Sequence, residues 1–321
     1  MDRDRLAGLT RAAFGARRRL DGLTRLRGGS KKGVYRAAFD DESTAIIYIW
    51  ADAENYWPAA PEDPADPFSA GSGLDLFLAA QSRLAGLGVR TPRLYLADPG
   101  HLYYPADAAV LEDIPGPSLE AWLRDDPRQG EPVLERLSAA VRVMHACPGP
   151  GFGKVALVDR GGTASGESCA QVVLGRALVH LAEACAREPR IAEAGERLGE
   201  LLRGRAAAVR PRSDYRLIHG ELGPDHVLID DRGDPVVIDI EGLMYFDVEW
   251  EHVFLRLRFG EHYRALHRAD LDQDRLACYA LAMHLSLVAG PLRLLDGAFP
   301  DREPMRQIAE HHIRRLLDLA C

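Results

Sequence analysis

Residues 217–251 contain a dense group of side chains that could do acid, base or metal chemistry. The candidates are His219, Glu221, Asp225, His226, Asp239, Glu241, Asp247 and Glu251. They flank two apolar runs, 227–229 and 236–238, which are predicted to be buried strands. A carboxylate at the end of a buried strand is costly unless it holds a cation or a proton. We therefore expect the chemistry of this protein to lie in this stretch.

The residues between the two apolar runs, DDRGDP, have the turn chemistry of a hairpin. A hairpin brings the residues before its first strand and after its second strand to the same end. His226 precedes the first strand, and Asp239 and Glu241 follow the second. That arrangement suits a divalent metal ion bound together with phosphate oxygens.

Positive charge is distributed unevenly along the chain. Residues 1–36 carry a net charge of +8, whereas the remaining 285 residues carry −16. Either the N-terminal part meets an anionic ligand, or a basic first helix is simply solvated. Lysine is rare, because only Lys31, Lys32 and Lys154 occur among the 40 basic residues.

The sequence HGELGPDH at 219–226, followed by VIDIE at 237–241, resembles the signature of the aminoglycoside phosphotransferase and choline-kinase-like family. That signature is HGDxxxxN, a short hairpin, and IDxE/D. A glycine-rich turn at 28–30, a hinge-like segment at 110–116 and a DPxxD-like segment at 247–251 extend the resemblance. The resemblance implies an α+β, bilobal, protein-kinase-like fold with a β-rich N-lobe and a mainly helical C-lobe. It also implies a bound nucleotide and transfer of its γ-phosphoryl group to a hydroxyl.

The resemblance also implies roles for individual residues. Glu221 takes the place of the catalytic carboxylate, and His219 fixes the catalytic loop. The implied metal ligands are His226, Asp239 and Glu241. The implied nucleotide-binding residues are Gly28, Gly29, Ser30, Lys31, Lys32, Tyr48, Glu112 and Ile114. The implied cofactor is Mg²⁺ or Mn²⁺, with ATP or GTP as the co-substrate.

The chain departs from the family pattern at four positions. Glu221 replaces Asp, and His226 replaces Asn, although His at that place is similar to the macrolide phosphotransferases of the family. Tyr48 stands where the strand lysine that binds the α- and β-phosphates is expected, and Phe77 stands where its glutamate partner is expected. Loss of both members of an ion pair avoids a buried unpaired charge and indicates remodelling. Another cation must then neutralise the polyphosphate, and Lys31 and Lys32 are the nearest candidates.

Length and pattern predict two lobes, 1–114 and 115–321, separated at the proline-glycine break after Ile114. A helix is expected over 3–19, and strands are expected within 26–50. The globular composition, the absence of a long apolar run and the charged N-terminus predict a cytoplasmic protein that binds no membrane. The net charge of −8 argues against a nucleic-acid partner, and the five scattered cysteines are expected to be reduced.

Two functional hypotheses follow from these residues. The first is an ATP- or GTP-dependent O-phosphotransferase whose acceptor is an antibiotic-like small molecule, which would confer resistance, or a Ser/Thr of a biosynthetic peptide. The acidic helical lobe favours a cationic or polyhydroxylated acceptor. The second is a catalytically impaired pseudokinase that binds a nucleotide or a partner, motivated by Glu221 and Tyr48.

Overall fold

The computed structural model describes residues 3–27, 29–58, 63–69 and 72–320. Its helices in chain order are α1 (Arg3–Phe14), α2 (Leu74–Gly86), α3 (Leu119–Asp125), α4 (Pro127–Ala146), α5 (Val155–Val158), α6 (Cys169–Arg187), α7 (Pro189–Ala208), α8 (Val248–Phe259), α9 (Gln273–Asp296) and α10 (Arg302–Ala320). Its strands are β1 (Leu20–Arg25), β2 (Gly33–Phe39), β3 (Thr44–Trp50), β4 (Leu94–Asp98), β5 (Asp107–Glu112), β6 (Pro148–Gly149), β7 (Gly153–Lys154), β8 (Tyr215–Ile218), β9 (Val227–Ile229), β10 (Pro235–Val237) and β11 (Met244–Phe246).

The chain divides into two compact units that interleave along the sequence. The first unit comprises the described residues of Met1–Tyr56, Ala70–Ala140 and Pro224–Gly242, and the second comprises those of Trp57–Ser69, Val141–Gly223 and Leu243–Cys321. The sequence predicted a single boundary after residue 114, with one uninterrupted segment for each lobe. That boundary between lobes stays a prediction.

The first unit is built on an antiparallel five-stranded sheet in the order β1-β2-β3-β5-β4. One face of this sheet packs with α1 around a core that includes Leu6, Leu9, Ile47 and Val110. The other face of β3 presents Ile46, Tyr48 and Trp50, because side chains alternate along a strand. Residues 45–49 of β3 are all buried, which explains why this strand is an almost uninterrupted apolar run.

The hairpin expected between His226 and Asp239 is present in the first unit. β9 and β10 pair antiparallel, with Val227 opposite Val237. The turn between them is held by the Asp230 carboxylate, which accepts the N–H groups of Arg232 and Asp234, and by Gly233 at a φ of +78°. The hairpin expectation is therefore confirmed.

The second unit is mainly helical, as the sequence pattern indicated. Its core is formed largely by α6 to α9 and by a small sheet in the order β6-β8-β11-β7. By length and composition alone, α6 and α9 are apolar enough to cross a membrane, but both contribute most of their buried residues to this core. The apolar character of both helices therefore has a structural explanation within the unit.

The N-terminal segment differs from the expectation in one respect. The helix predicted over 3–19 ends at Phe14, because Gly15 adopts a φ of +82° and its N–H donates to the Arg11 carbonyl. The residues after the basic run 17–19 form β1 at the edge of the sheet, a strand that the sequence analysis did not predict.

Candidate active site

The glycine-rich turn before β2 carries Lys32 into the interior of the first unit. A Cβ on Gly29 would lie 2.6 Å from the carbonyl oxygen of Lys32, so this turn requires glycine. The backbone N–H of Tyr56 donates to the carbonyl of Ser30 at 2.9 Å and ties the turn to the segment after β3. Lys32 is consequently only 7% exposed, although lysine is among the residues least often buried.

The ammonium group of Lys32 is held by two carboxylates that follow the second strand of the β9–β10 hairpin. Its Nζ lies 2.8 Å from Oδ1 of Asp239 and 2.5 Å from Oε1 of Glu241. Burial acts to lower the pKa of Lys32, but the two carboxylates act the other way, and its pKa lies well above the ordinary value of 10.5. Lys32 is therefore positively charged where the sequence analysis placed a metal ion.

The backbone at the end of the hairpin brings Asp239 beside His226. The N–H of Ile238 donates to the carbonyl of His226 at 3.0 Å, and Asp239 follows in the left-handed region with a φ of +59°. Aspartate tolerates this region better than most residues. Nε2 of His226 then lies 3.8 Å from Oδ2 of Asp239, whose side chain is 44% exposed.

The cluster of Lys32, Asp239 and Glu241 has fewer positive groups than negative groups, which favours the binding of a further cation. The Lys32 ammonium faces two carboxylates, and Oε2 of Glu241 is buried without a hydrogen-bond partner in the described part of the chain. Burial raises the pKa of the Glu241 carboxyl, and the adjacent ammonium opposes that rise.

His226 and Asp239 fit a divalent ion that a nucleotide would bring. Two atoms bound to one such ion at about 2.1 Å lie about 3–4 Å apart, as Nε2 of His226 and Oδ2 of Asp239 do. Over the described ranges, no group of three or more His, Cys, Asp or Glu side chains is arranged to hold a metal ion alone. Mg²⁺ is usually bound by one or two carboxylates together with phosphates and water, so these two residues suffice in kind.

An aromatic cluster occupies the place where the strand lysine and its helix partner were expected. Tyr48 on β3 and Phe77 on α2 meet edge to face at 5.8 Å between ring centroids, and Trp50 lies 5.7 Å from Tyr48. Lys32 Nζ lies 4.9 Å from the centroid of the Tyr48 ring, which is within cation–π distance. Burial raises the pKa of Tyr48 above its ordinary value, so Tyr48 is neutral beside Lys32.

The remaining implied nucleotide-binding residues stay predictions. Gly28 lies outside the described residues, and Lys31 lies partly exposed in the same turn as Lys32. The Glu112 carboxylate accepts from the Arg90 guanidinium and from the N–H of Arg93, so its side chain is used within the first unit. Ile114 is buried.

The first part of the implied catalytic loop, residues 219–223, lies in the second unit and is fixed from α8. Oε2 of Glu251 accepts the N–H of Gly220 at 2.8 Å, and Gly220 itself has a φ of +89°. His219 is fully buried, whereas Glu221 is exposed. Burial raises the pKa of Glu251 to about 7, although the loop N–H groups act to lower it. This geometry suits a loop that holds a solvent-facing carboxylate in a fixed place.

A buried ion network, which the sequence did not predict, anchors α8. Arg212 donates to Asp247 at 3.0 Å and to Glu249 at 3.1 Å, while Arg275 donates to Asp247 at 2.8 Å. Asp247 and Glu249 are almost fully buried, so their charges need these partners. Two carboxylates at the start of an apolar helix were a signal for such a network, but nothing in the sequence distinguishes these two arginines from the others.

Comparison with known families gives the class of this protein. Residues 64–285 match the model of the APH family, described as the phosphotransferase enzyme family. The chain belongs to this family. The matched range includes Asp239, Glu241 and Glu221 but not the turn that carries Lys32. No curated protein sequence matches the chain significantly.

Solved structures with the same fold include two antibiotic phosphotransferases and a putative fructosamine-3-kinase. The chain is similar to aminoglycoside phosphotransferase APH(4)-Ia at 15% identity and a TM-score of 0.62, covering 98% of this chain and 99% of that one. It is similar to spectinomycin phosphotransferase APH(9)-Ia, in complex with ADP and spectinomycin, at 12% identity and a TM-score of 0.66. This match covers 99% of this chain and 98% of that one. A putative fructosamine-3-kinase from Thermobifida fusca has 17% identity and a TM-score of 0.55, covering 98% of both chains. The expected kinase-like α+β fold is confirmed.

Proposed function

We propose that this chain is a nucleotide-dependent O-phosphotransferase that moves the γ-phosphoryl group of ATP or GTP to a hydroxyl group of its acceptor. The observation that carries the proposal is the contact of Lys32 Nζ with Asp239 and Glu241. A cation from a glycine-rich turn and two carboxylates at the end of a hairpin are the parts that phosphoryl transfer needs for charge neutralisation. Membership of a phosphotransferase family supports the same reaction class.

The residues of the first unit would bind and orient the nucleotide. Asp239 and His226 would hold Mg²⁺ or Mn²⁺, and the ion when bound supplies positive charge to the β- and γ-phosphate oxygens. Lys32 would supply a second positive charge, and the backbone N–H groups of the turn could donate hydrogen bonds to anionic oxygens. Positioning and charge neutralisation provide most of the rate in this reaction class.

The second unit would provide the group that orients the acceptor. Glu221 is exposed, and its loop is fixed by Glu251, so a hydroxyl could donate its proton toward the Glu221 carboxylate. Glutamate is one methylene longer than the aspartate of the family pattern, so the acceptor hydroxyl would lie about 1 Å farther from the loop backbone.

The acceptor we propose is a hydroxyl-bearing small molecule that is cationic or polyhydroxylated. The residues after 36 carry a net charge of −16, which favours a cationic acceptor. Two structural relatives were solved with antibiotics of this kind, APH(4)-Ia with ADP and hygromycin B and APH(9)-Ia with ADP and spectinomycin. A Ser/Thr of a biosynthetic peptide is a second acceptor class.

The proposal is tested by following γ-phosphoryl transfer from labelled ATP or GTP with Mg²⁺ or Mn²⁺. The acceptor panel should contain aminoglycosides, aminocyclitols, fructosamines and hydroxyl-bearing peptides. Transfer to one acceptor class, absent without acceptor, would support the proposal. Tight nucleotide binding without transfer to any acceptor would favour the pseudokinase alternative, for which the Glu221 substitution is the motivating observation.

A further inference from the structure

The lysine–glutamate ion pair that the family pattern places on β3 and α2 is replaced by an aromatic pair in this chain. A different lysine–glutamate pair lies close to it. Tyr48 and Phe77, which stand at the positions expected for a lysine and a glutamate, form an edge-to-face aromatic pair at 5.8 Å. Lys32 Nζ lies over the Tyr48 ring at 4.9 Å and contacts Oε1 of Glu241 at 2.5 Å. A lysine–glutamate pair is therefore present beside β3, but neither member comes from β3 or α2.

We propose that Lys32 is the phosphate-binding lysine of this chain, that Glu241 is the residue that positions it, and that the Tyr48 ring supports its ammonium group. The inference rests on the proposed function, because it assigns the lysine of that same reaction. It also revises the expectation for Glu241, which the sequence analysis implied to be a metal ligand. Asp239 and His226 would remain the metal ligands.

Exposure distinguishes the two carboxylates that share Lys32. The Glu241 side chain is 2% exposed, so its charge depends on a close cation. The Asp239 side chain is 44% exposed and faces His226 Nε2 at 3.8 Å. With a metal–nucleotide complex bound, Asp239 would hold the metal ion in place of the ammonium. Lys32 then keeps Glu241 and has hydrogen-bond capacity left for phosphate oxygens, because an ammonium donates three.

The pairing of β2 with β3 places Lys32 close to position 48 of β3, where the family pattern has its lysine. The register pairs Val34 with Tyr48, so a residue just before β2 lies beside the strand position from which a lysine is missing. An ammonium over an aromatic face is attracted by the ring electrons. Because Lys32 Nζ lies over the Tyr48 ring, we expect a lysine side chain in place of Tyr48 to extend toward the same space.

The experiment is a calorimetric titration with Mg²⁺–AMP-PNP at fixed salt, made on variants of the full chain. Lys32→Met should weaken binding by at least about 10-fold, the scale of one charge-assisted hydrogen bond. The double variant Lys32→Met/Tyr48→Lys should recover most of that loss. Arg19→Met, which removes one positive charge at an 82% exposed position of the same unit, is the matched control and should bind like the wild type.

A double-mutant cycle tests the positioning role of Glu241. Glu241→Gln should weaken binding in the wild-type background but should not weaken it further when Lys32 is already Met, because Glu241 acts through Lys32. The variant Lys32→Met/Glu241→Gln removes both charges, so it avoids an unpaired buried carboxylate and provides a folded reference, checked by thermal unfolding.

The outcomes separate this inference from the proposed function. A wild-type chain that binds no nucleotide would overturn the proposed function. A wild type that binds while Lys32→Met/Glu241→Gln binds within about 2-fold would overturn the inference alone. The inference would also be contradicted if Glu241→Gln weakened nucleotide binding equally with Lys32 and with Met at position 32. Failure of Tyr48→Lys to restore nucleotide affinity to Lys32→Met would contradict it as well.

Discussion

The Nζ atom of Lys32 lies 2.8 Å from Oδ1 of Asp239, although 207 positions separate the two residues in the chain. One residue comes from a glycine-rich turn and the other from the end of a hairpin, and both belong to the first unit. The contact joins the two features that the sequence analysis had connected only through a family resemblance.

Asp239→Asn should abolish metal-dependent nucleotide binding and leave the chain folded. Asparagine tolerates the φ of +59° at this position, so the backbone is not strained, but its amide is a much weaker ligand than a carboxylate. Calorimetric titration with Mg²⁺–nucleotide measures the effect, and circular dichroism reports the fold. Unchanged affinity in a folded variant would remove Asp239 from the metal site.

Glu221→Gln should lower turnover by at least about 10²-fold with little change in nucleotide affinity, as the loss of an aligned general base does. The matched control is Glu196→Gln, because Glu196 is an exposed glutamate on α7 of the same unit. Steady-state kinetics with a competent acceptor give the comparison. A wild-type rate in Glu221→Gln would refute its role as base.

Tyr48→Phe should change nucleotide affinity by less than about 1.5 kcal/mol, the scale of one net hydrogen bond. The phenylalanine ring keeps its face toward the Lys32 ammonium, whereas Tyr48→Ala removes the face and should weaken binding further. Titration of both variants under one salt condition checks the order. If Tyr48→Phe were as damaging as Tyr48→Ala, the hydroxyl would have a role of its own.

The stability of the fold should fall as the pH rises from about 4.5 to about 7 through the ionisation of Glu251. Burial raises the pKa of this carboxyl from 4.5 to about 7 in the folded chain. In that range the folded state binds more protons than the unfolded state, so the free energy of unfolding decreases with pH, by about 3 kcal/mol in total.

Urea unfolding of the wild type and of Glu251→Gln at pH 5 and pH 8 isolates this contribution. The wild type should lose more stability between the two pH values than the variant, whose amide oxygen can still accept the Gly220 N–H. Identical pH dependence in the two proteins would show that Glu251 does not titrate in this range.

The local elements could be predicted because local signals decide them. The apolar run of β3, the turn residues of the β9–β10 hairpin and the periodicity of the long helices are each visible in a few neighbouring residues. The break at Gly15 was missed because a glycine inside a helical pattern is often tolerated, and only its positive φ ends α1.

The positions of the charged side chains could be predicted only in part. The shortage of lysine pointed to the glycine-rich turn, but the choice between Lys31 and Lys32 depends on which side chain the turn directs inward. The arginine partners of Asp247 could not be predicted at all. Arg212 lies in the segment between α7 and β8, and Arg275 lies on α9, so only the tertiary fold brings them to Asp247 over 35 and 28 positions.

The most direct measurement of the central claim uses the fact that the chain has only three lysines. Lysine labelled with ¹³C at Cε gives one resonance each for Lys31, Lys32 and Lys154, assigned with single Lys→Met variants. On addition of Mg²⁺–AMP-PNP, the Lys32 resonance should shift strongly, whereas that of Lys154, which donates to the Ser69 carbonyl in the second unit, should stay in place. Saturable nucleotide binding that leaves the Lys32 resonance unmoved would contradict the account.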